Sequence, residues 1–378
     1  MILTKTTLAT TVLFLSINVV AQQRSDTAKK AIQDLIQEFD IRLKQNSQSE
    51  NVGSITAAIV DNDEILWTKS YGFIDKEKRA SASPTSLYLI GSVSKSITGM
   101  ALARLVDKNI IKLDDAIDKF VPEIRRVRDL PANNSITFRH LATHTSGLSR
   151  EADLPGAAEG PMKDWEDKLL ACLPLTSFIK DSYGKYSYSN IGYGILGLAM
   201  SRAANKSFDK LIKEQVFDPL KMTNTRFELG KEMRNNLAVS YANTRDYNLG
   251  RGYKFPNGGV YSNIEDMANF AKVHLQTSFA DYLTSSALNQ VQSFLVISEE
   301  TNEERYGYGL GVTVWTDKNQ KNWVYHNGVV APGYSASFYC DLVEKNAIII
   351  LRNDSGSDDI AGLADEFLYR LGEIKKNN

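Results

Sequence analysis

Ser92-Val-Ser-Lys95 places an amine three residues after a hydroxyl. The motif follows the apolar run Leu87–Ile90 and opens a stretch with Ile97, Met100, Ala101 and Leu105 at the spacing of a buried helix face. A serine at a helix N-terminus feels the positive end of the dipole, which favours developing negative charge. Lys95, about one turn on, can face the hydroxyl, and a neutral, desolvated lysine there can take its proton. The same residues also suit a plain capping serine beside a surface lysine. Tyr188-Ser-Asn190 offers a phenol beside an amide, able to relay protons and hold a substrate carbonyl, just before a helix that starts near Ile191. A tyrosine-rich turn is the alternative, and only a meeting in space with Ser92 overrides it. His326-Asn327-Gly328 stands at the end of a late strand. Its glycine permits close approach of a substrate backbone, and the N–H of Val329 can complete an oxyanion hole with that of Ser92. Read alone, it is an ordinary Asn-Gly turn.

Other motifs carry less. Gly192-Tyr-Gly-Ile-Leu-Gly197 matches G-x-G-x-x-G, with Asp218 further on, but polar, turn-like residues stand where a dinucleotide site needs a buried strand. Glycines for close helix packing explain it better. His140 and His144 stand four apart without the glutamate of a zinc helix and without a third ligand, so a structural role is expected and no metal site is read. His274 reads as a packing or surface residue.

These residues must be held by elements legible in the rest of the chain. Its 378 residues suit one large domain or two intimately joined ones. Lys and Arg number 44 against 45 Asp and Glu, for a net charge of −1, and no basic block stands out. Nucleic acid is therefore not an expected partner. Residues 1–21 read as a signal peptide, with Lys5 before an apolar stretch and Val19-Val20-Ala21 as the cleavage site. The mature chain is expected to be exported, periplasmic or extracellular, with no stable membrane span. Two cysteines, Cys172 and Cys340, can pair there or remain separate buried thiols. Ile32, Leu35, Ile36, Phe39 and Leu43 mark an amphipathic helix over 27–45. Strands are expected at 52–60 and 64–71, joined by a turn at Asp61-Asn62-Asp63, and again at 307–315, 322–326, 334–340 and 346–351. From about 92 to 275 the pattern is mainly helical, with Ser262-Asn-Ile-Glu265 as a capping box. A closing helix carries Leu363, Ala364, Phe367, Leu368 and Leu371 on one face. The expectation is an α+β fold: a mainly antiparallel sheet built from both chain ends (about 22–91 and 300–378), flanked by helices, around a large helical insertion (about 92–299).

Taken in order, the three motifs resemble those of the serine β-lactamase and penicillin-binding-protein superfamily, nearest its class C β-lactamase-related branch of esterases and D-amino-acid peptidases. Ile136–Gly147, Asp218–Met222, Pro256–Gly259 and Tyr308–Gly311 are similar too. The resemblance implies acyl transfer without a cofactor, on a small-molecule or peptide substrate. Ser92 would attack a carbonyl, Lys95 and Tyr188 would share the proton work, and Asn190 would orient Lys95 and the substrate amide. The N–H groups of Ser92 and Val329 would hold the oxyanion. Whether Lys95 or Tyr188 is the base stays open. His326 stands where class C enzymes have the lysine of Lys-Thr-Gly, which favours an esterase or peptidase over a β-lactam hydrolase. Activity is then expected to follow the protonation of His326 between about pH 5 and 8. The alternatives are a β-lactam-hydrolysing or penicillin-binding protein, or a non-catalytic sensing module. An α/β-hydrolase is disfavoured by the missing G-x-S-x-G. The loops at 149–166 and 243–258 are expected to shape specificity.

Overall fold

The computed structural model describes residues 5–48, 53–75, 77, 79–240, 250–331, 333–354 and 360–376, with side chains from Asp26 onward, Ile360 excepted. Of the expected leader, 1–21, residues 1–4 and all the side chains therefore lie outside what is described, as do residues 243–249 of the 243–258 loop. Helix α1 (Lys5–Asn46) buries Leu35, Phe39 and Leu43, the face its spacing predicts. β1 (Ser54–Asp61) and β2 (Glu64–Asp75) form the expected hairpin, turning with Asn62 at φ 54°. β3 (Ala80–Ser81) extends its edge.

The middle of the chain supplies β4 (Tyr88–Leu89), α2 (Ser94–Asp107), α3 (Phe138–Ala142), β5 (Ser146–Leu148), α4 (Trp165–Cys172), β6 (Phe178–Tyr183), α5 (Asn190–Ala204) and α6 (Phe208–Ile212). α7 (Phe255–Gly258), β7 (Tyr261–Ser262), α8 (Ile264–Leu275) and α9 (Ser285–Gln292) complete it. β4 pairs with β7 and β5 with β6, two small ladders inside the helical region. The strands then return as β8 (Val296–Glu300), β9 (Arg305–Tyr308), β10 (Thr313–Thr316), β11 (Asn322–Val330), β12 (Tyr334–Asp341) and β13 (Asn346–Arg352), before α10 (Ile360–Lys376).

The main sheet runs β3-β2-β1-β13-β12-β11-β10-β9-β8, antiparallel at each pairing. Its centre joins the two chain regions, with Ile55 opposite Arg352 and Asp61 opposite Asn346. The α+β architecture expected from the sequence is what forms. β13 reads Asn-Ala-Ile-Ile-Ile-Leu-Arg without alternation because both faces are covered. Ala347, Ile349 and Leu351 join the core beneath the helical region, while Ile348 and Ile350 pack with α1 and α10.

Three local readings change. The run 307–315 is a hairpin rather than one strand, because Gly309-Leu-Gly311 turns between β9 and β10 and Gly311 adopts φ 79°. β8 is an additional strand at the sheet edge. The cap of α8 is Asn263, whose side chain accepts the N–H of Asp266 at 2.9 Å, whereas Ser262 belongs to β7 and shares a hydrogen bond with Thr225. Cys172 and Cys340 are separate buried thiols.

Candidate active site

Ser92 lies in a short 3-10 turn, Gly91–Val93, that runs directly into α2. The helix is fixed by its own small polar residues. Ser94 accepts the N–H of Val260, Ser96 donates to the Gly311 carbonyl, and Thr98 donates to that of Pro256. Lys95 is consequently fully buried, its Nζ 3.2 Å from Ser92 Oγ and 2.9 Å from the Asn257 carbonyl. Burial pushes the amine well below the ordinary lysine range. The charge of Glu151 opposes this, and those of Lys254, Arg150 and Arg251 reinforce it.

Tyr188 meets this pair. Lys95 Nζ lies 4.8 Å from the centre of its ring. Burial raises the phenol above its ordinary value, against the lowering effect of a hydrogen bond with Ser92, so Tyr188 rests protonated. The ring is supported by His144, stacked at 4.2 Å, whose Nδ1 accepts the Ser189 N–H at 3.0 Å. His140 closes the capping box of α3 with Thr137. Both histidines thus take the structural roles expected of them, and among the described residues no group of His, Cys, Asp and Glu is placed to hold a metal ion. The glycines of 192–197 serve packing: a Cβ at Gly194 would meet Leu169 and one at Gly197 would meet Pro256.

Asn190 begins α5 but does not hold Lys95. Its Nδ2 donates to Glu151 at 2.6 Å, while its Oδ1 is buried without a partner. The carbonyl on Lys95 comes instead from Asn257, whose own Nδ2 donates to the Asn190 carbonyl. Glu151 gathers Asn190, the Tyr253 hydroxyl and Lys254. No motif spacing brings Glu151, Lys254 and Asn257 to Ser92. The similarity of Pro256–Gly259 covers Asn257, and the loops 149–166 and 243–258 expected to shape specificity contain all three, without assigning them a role.

The opposite wall is β11. Up to Tyr325 it pairs with both β10 and β12; from His326 onward it pairs with β12 alone, and the Ile90–Ser92 turn lies against it. Gly328 allows this contact, since a Cβ there would overlap the Ile90 carbonyl and lie 3.0 Å from Ser92 N. Gly91, at φ 53°, answers from the other side: a Cβ on it would lie 3.1 Å from Val329 N. The backbones at Gly91–Ser92 and Gly328–Val329 thereby come into close approach. The Val329 side chain is exposed, and Asn327 projects to the other face, where its Nδ2 donates to the Tyr339 hydroxyl at 3.1 Å.

His326 does not behave as a residue titrating near neutrality. Its Nδ1 donates to the Asn327 carbonyl at 2.7 Å, which leaves Nε2 to accept from the Tyr308 hydroxyl at 2.9 Å. Burial, helped by Lys95, pushes its pKa down to about 3. The expected switch between pH 5 and 8 is overturned, because a buried ring with both nitrogens engaged stays neutral there.

Comparison with known proteins identifies the family and the fold. The beta-lactamase family model matches residues 32–370. The chain is 29% identical over 318 residues to beta-lactamase-like protein 2 of Dictyostelium discoideum, covering 80% of this chain and 56% of that protein. It is 24% identical over 328 residues to protein flp of Staphylococcus aureus, covering 85% of this chain and 63% of that one. It therefore spans little more than half the length of these curated relatives. The octameric penicillin-binding protein homologue from Pyrococcus abyssi shares its fold, with a TM-score of 0.73 at 21% identity, over 89% of this chain and 77% of that one. From its fold and the span of the match, the chain belongs to the beta-lactamase family.

Proposed function

We propose that this protein is an exported serine hydrolase of the class C β-lactamase-related branch, acting through an acyl-enzyme at Ser92 on an ester, amide or peptide bond. The observation that carries the reading is the buried Lys95 amine 3.2 Å from Ser92 Oγ. Desolvation pushes this amine well below the ordinary lysine range and so favours its neutral form. With one N–H on the Asn257 carbonyl, it keeps a lone pair for the serine proton. Burial holds the Tyr188 phenol in its protonated form, which favours Lys95 as the base.

In this mechanism Ser92 Oγ attacks the carbonyl carbon as its proton passes to Lys95. The oxyanion forms between the N–H groups of Ser92 and Val329, where no reorganisation is needed. The Tyr188 hydroxyl protonates the leaving group and recovers a proton from Lys95. Water then attacks the acyl-enzyme and gives its proton to the same pair, which returns it to Ser92 Oγ as the acid leaves. His326, neutral, holds Tyr308 and its own strand in place and supplies no charge to the substrate. That favours esters and peptides over β-lactam antibiotics.

Intact mass after mixing with a short-chain activated ester, or with penicillin, tests this beside Ser92→Ala. An adduct or turnover absent from the variant is the expected result, with the ester preferred. Adduct that forms with penicillin and never leaves would favour a penicillin-binding module. Identical behaviour of both proteins would remove Ser92 as the nucleophile.

A further inference from the structure

The helical wall of the site carries a cation that no acid pairs with among the described residues. Arg150 is exposed, and its guanidinium carbon lies 4.8 Å from the centre of the Tyr188 ring. Among the described residues its side chain has no hydrogen bond or ion pair with another protein group. Its sequence neighbour Glu151 is already taken by Lys254, Tyr253 and Asn190. The backbone of Arg150 is nonetheless fixed, because its carbonyl accepts the N–H groups of Asn190 at 2.8 Å and Ile191 at 3.3 Å at the start of α5. The guanidinium therefore hangs from an anchored stem over the ring beside the nucleophile.

Lys95 Nζ lies the same 4.8 Å from that ring centre, which keeps the two groups within about 10 Å, the Debye length at 0.1 M salt. A guanidinium stacked on an aromatic face leaves its N–H edge free, and that edge matches a planar carboxylate with two parallel hydrogen bonds. Across the site, β11 offers no competing charge, since both nitrogens of His326 are engaged within the protein. Lys254 is spent on Glu151. One side of the pocket is thus free to hold an anion.

We infer that Arg150 recognises a free carboxylate on the acyl donor, so that the substrates are esters or amides of carboxylate-bearing acids. This rests on the Ser92 reading above and adds a substrate class to it.

The test compares the aryl mono-ester of glutaric acid with the aryl ester of the matching methyl ketone acid, background hydrolysis subtracted. The wild type should prefer the carboxylate ester by about tenfold or more in kcat/KM, as expected for a charge-assisted bidentate pair, and added salt should shrink the preference. Arg150→Gln should bring the ratio near one, and Arg150→Lys should retain part of it. Thermal unfolding checks that both variants fold. A ratio that Arg150→Gln leaves unchanged, in turnover that still needs Ser92, overturns this inference alone. A second arm measures binding of the glutarate ester by calorimetry to Ser92→Ala and to Ser92→Ala with Arg150→Gln. Weaker binding to the double variant supports the Arg150 assignment even where turnover proves independent of Ser92, which would sink only the earlier reading. Equal binding to both overturns the assignment.

Discussion

The two walls of the site work by different means. The helical wall, from α2, α5, α7 and the loops beside them, contributes side chains: Ser92, Lys95, Tyr188, Arg150 and Glu151. The β11 wall contributes backbone, with the Val329 N–H brought against Ser92 by two glycines and a neutral histidine locked behind it. Side-chain chemistry needs particular residue types at particular spacings. Backbone chemistry needs only the right approach of two segments, so it tolerates almost any side chain at the donor position.

The largest expected effect lies on the helical wall. Lys95→Met keeps the length and loses the base, and acylation should slow by about 10²- to 10⁴-fold. Stopped-flow acylation with the activated ester checks this, and a rate within a few-fold of wild type would return the base to Tyr188. On the β11 wall, Gly328→Ala must push the strand off the Ile90 carbonyl and spoil the paired N–H groups. A fall in kcat of about 10²-fold or more is expected, with some loss of stability. Val329→Ala should change neither, because only the backbone of Val329 faces the nucleophile. Equal damage from both substitutions would break the distinction between the walls.

Acid reaches the buried rings next. His144, His274 and His326 are all held below the ordinary histidine range by burial, the last two at about 3. Unfolding frees them to bind protons below pH ~6.5, so the unfolded chain takes up more protons than the folded one and stability falls as pH falls. The slope should approach about 1.4 kcal/mol per pH unit for each ring, with little change above pH 7. Urea midpoints that stay constant from pH 8 to 5 would contradict it. Within the same pH series, His326 should add no inflection to kcat/KM between pH 5 and 8.

The smallest effect expected is Glu151→Gln. Its charge favours the protonated form of Lys95, so removing it lowers that amine further. The acid limb of kcat/KM, which follows Lys95 losing its proton, should move to lower pH while the plateau changes little. Movement to higher pH would mean that another group sets that limb.

The difference between the walls also explains what the sequence disclosed. Ser92 and Lys95 are legible because one helical turn fixes their separation locally, and Tyr188 because its motif opens α5. Asn257 and Glu151 reach the site only through tertiary packing, so the orienting contact on Lys95 that the resemblance gives to Asn190 comes instead from the Asn257 carbonyl. Asn327 was placed in the site by its motif, but the pleat turns it to the far face. The pairing of both chain regions into one sheet followed from apolar runs at each end. The turn at Gly309–Gly311 was hidden because apolar residues continue across it.

The pairing of β1 with β13 has a consequence for biosynthesis. During synthesis β1 emerges early and has no partner on that side until the last strand is made. The helical region emerges in between, with Ser92 in the turn that leads into α2 and Lys95 on that helix, but with no second N–H to receive an oxyanion. Contacts this distant in sequence form late and slowly. On the proposed function, the nascent chain therefore carries its nucleophile long before it carries a site that can use it, and ripens only when its two ends meet.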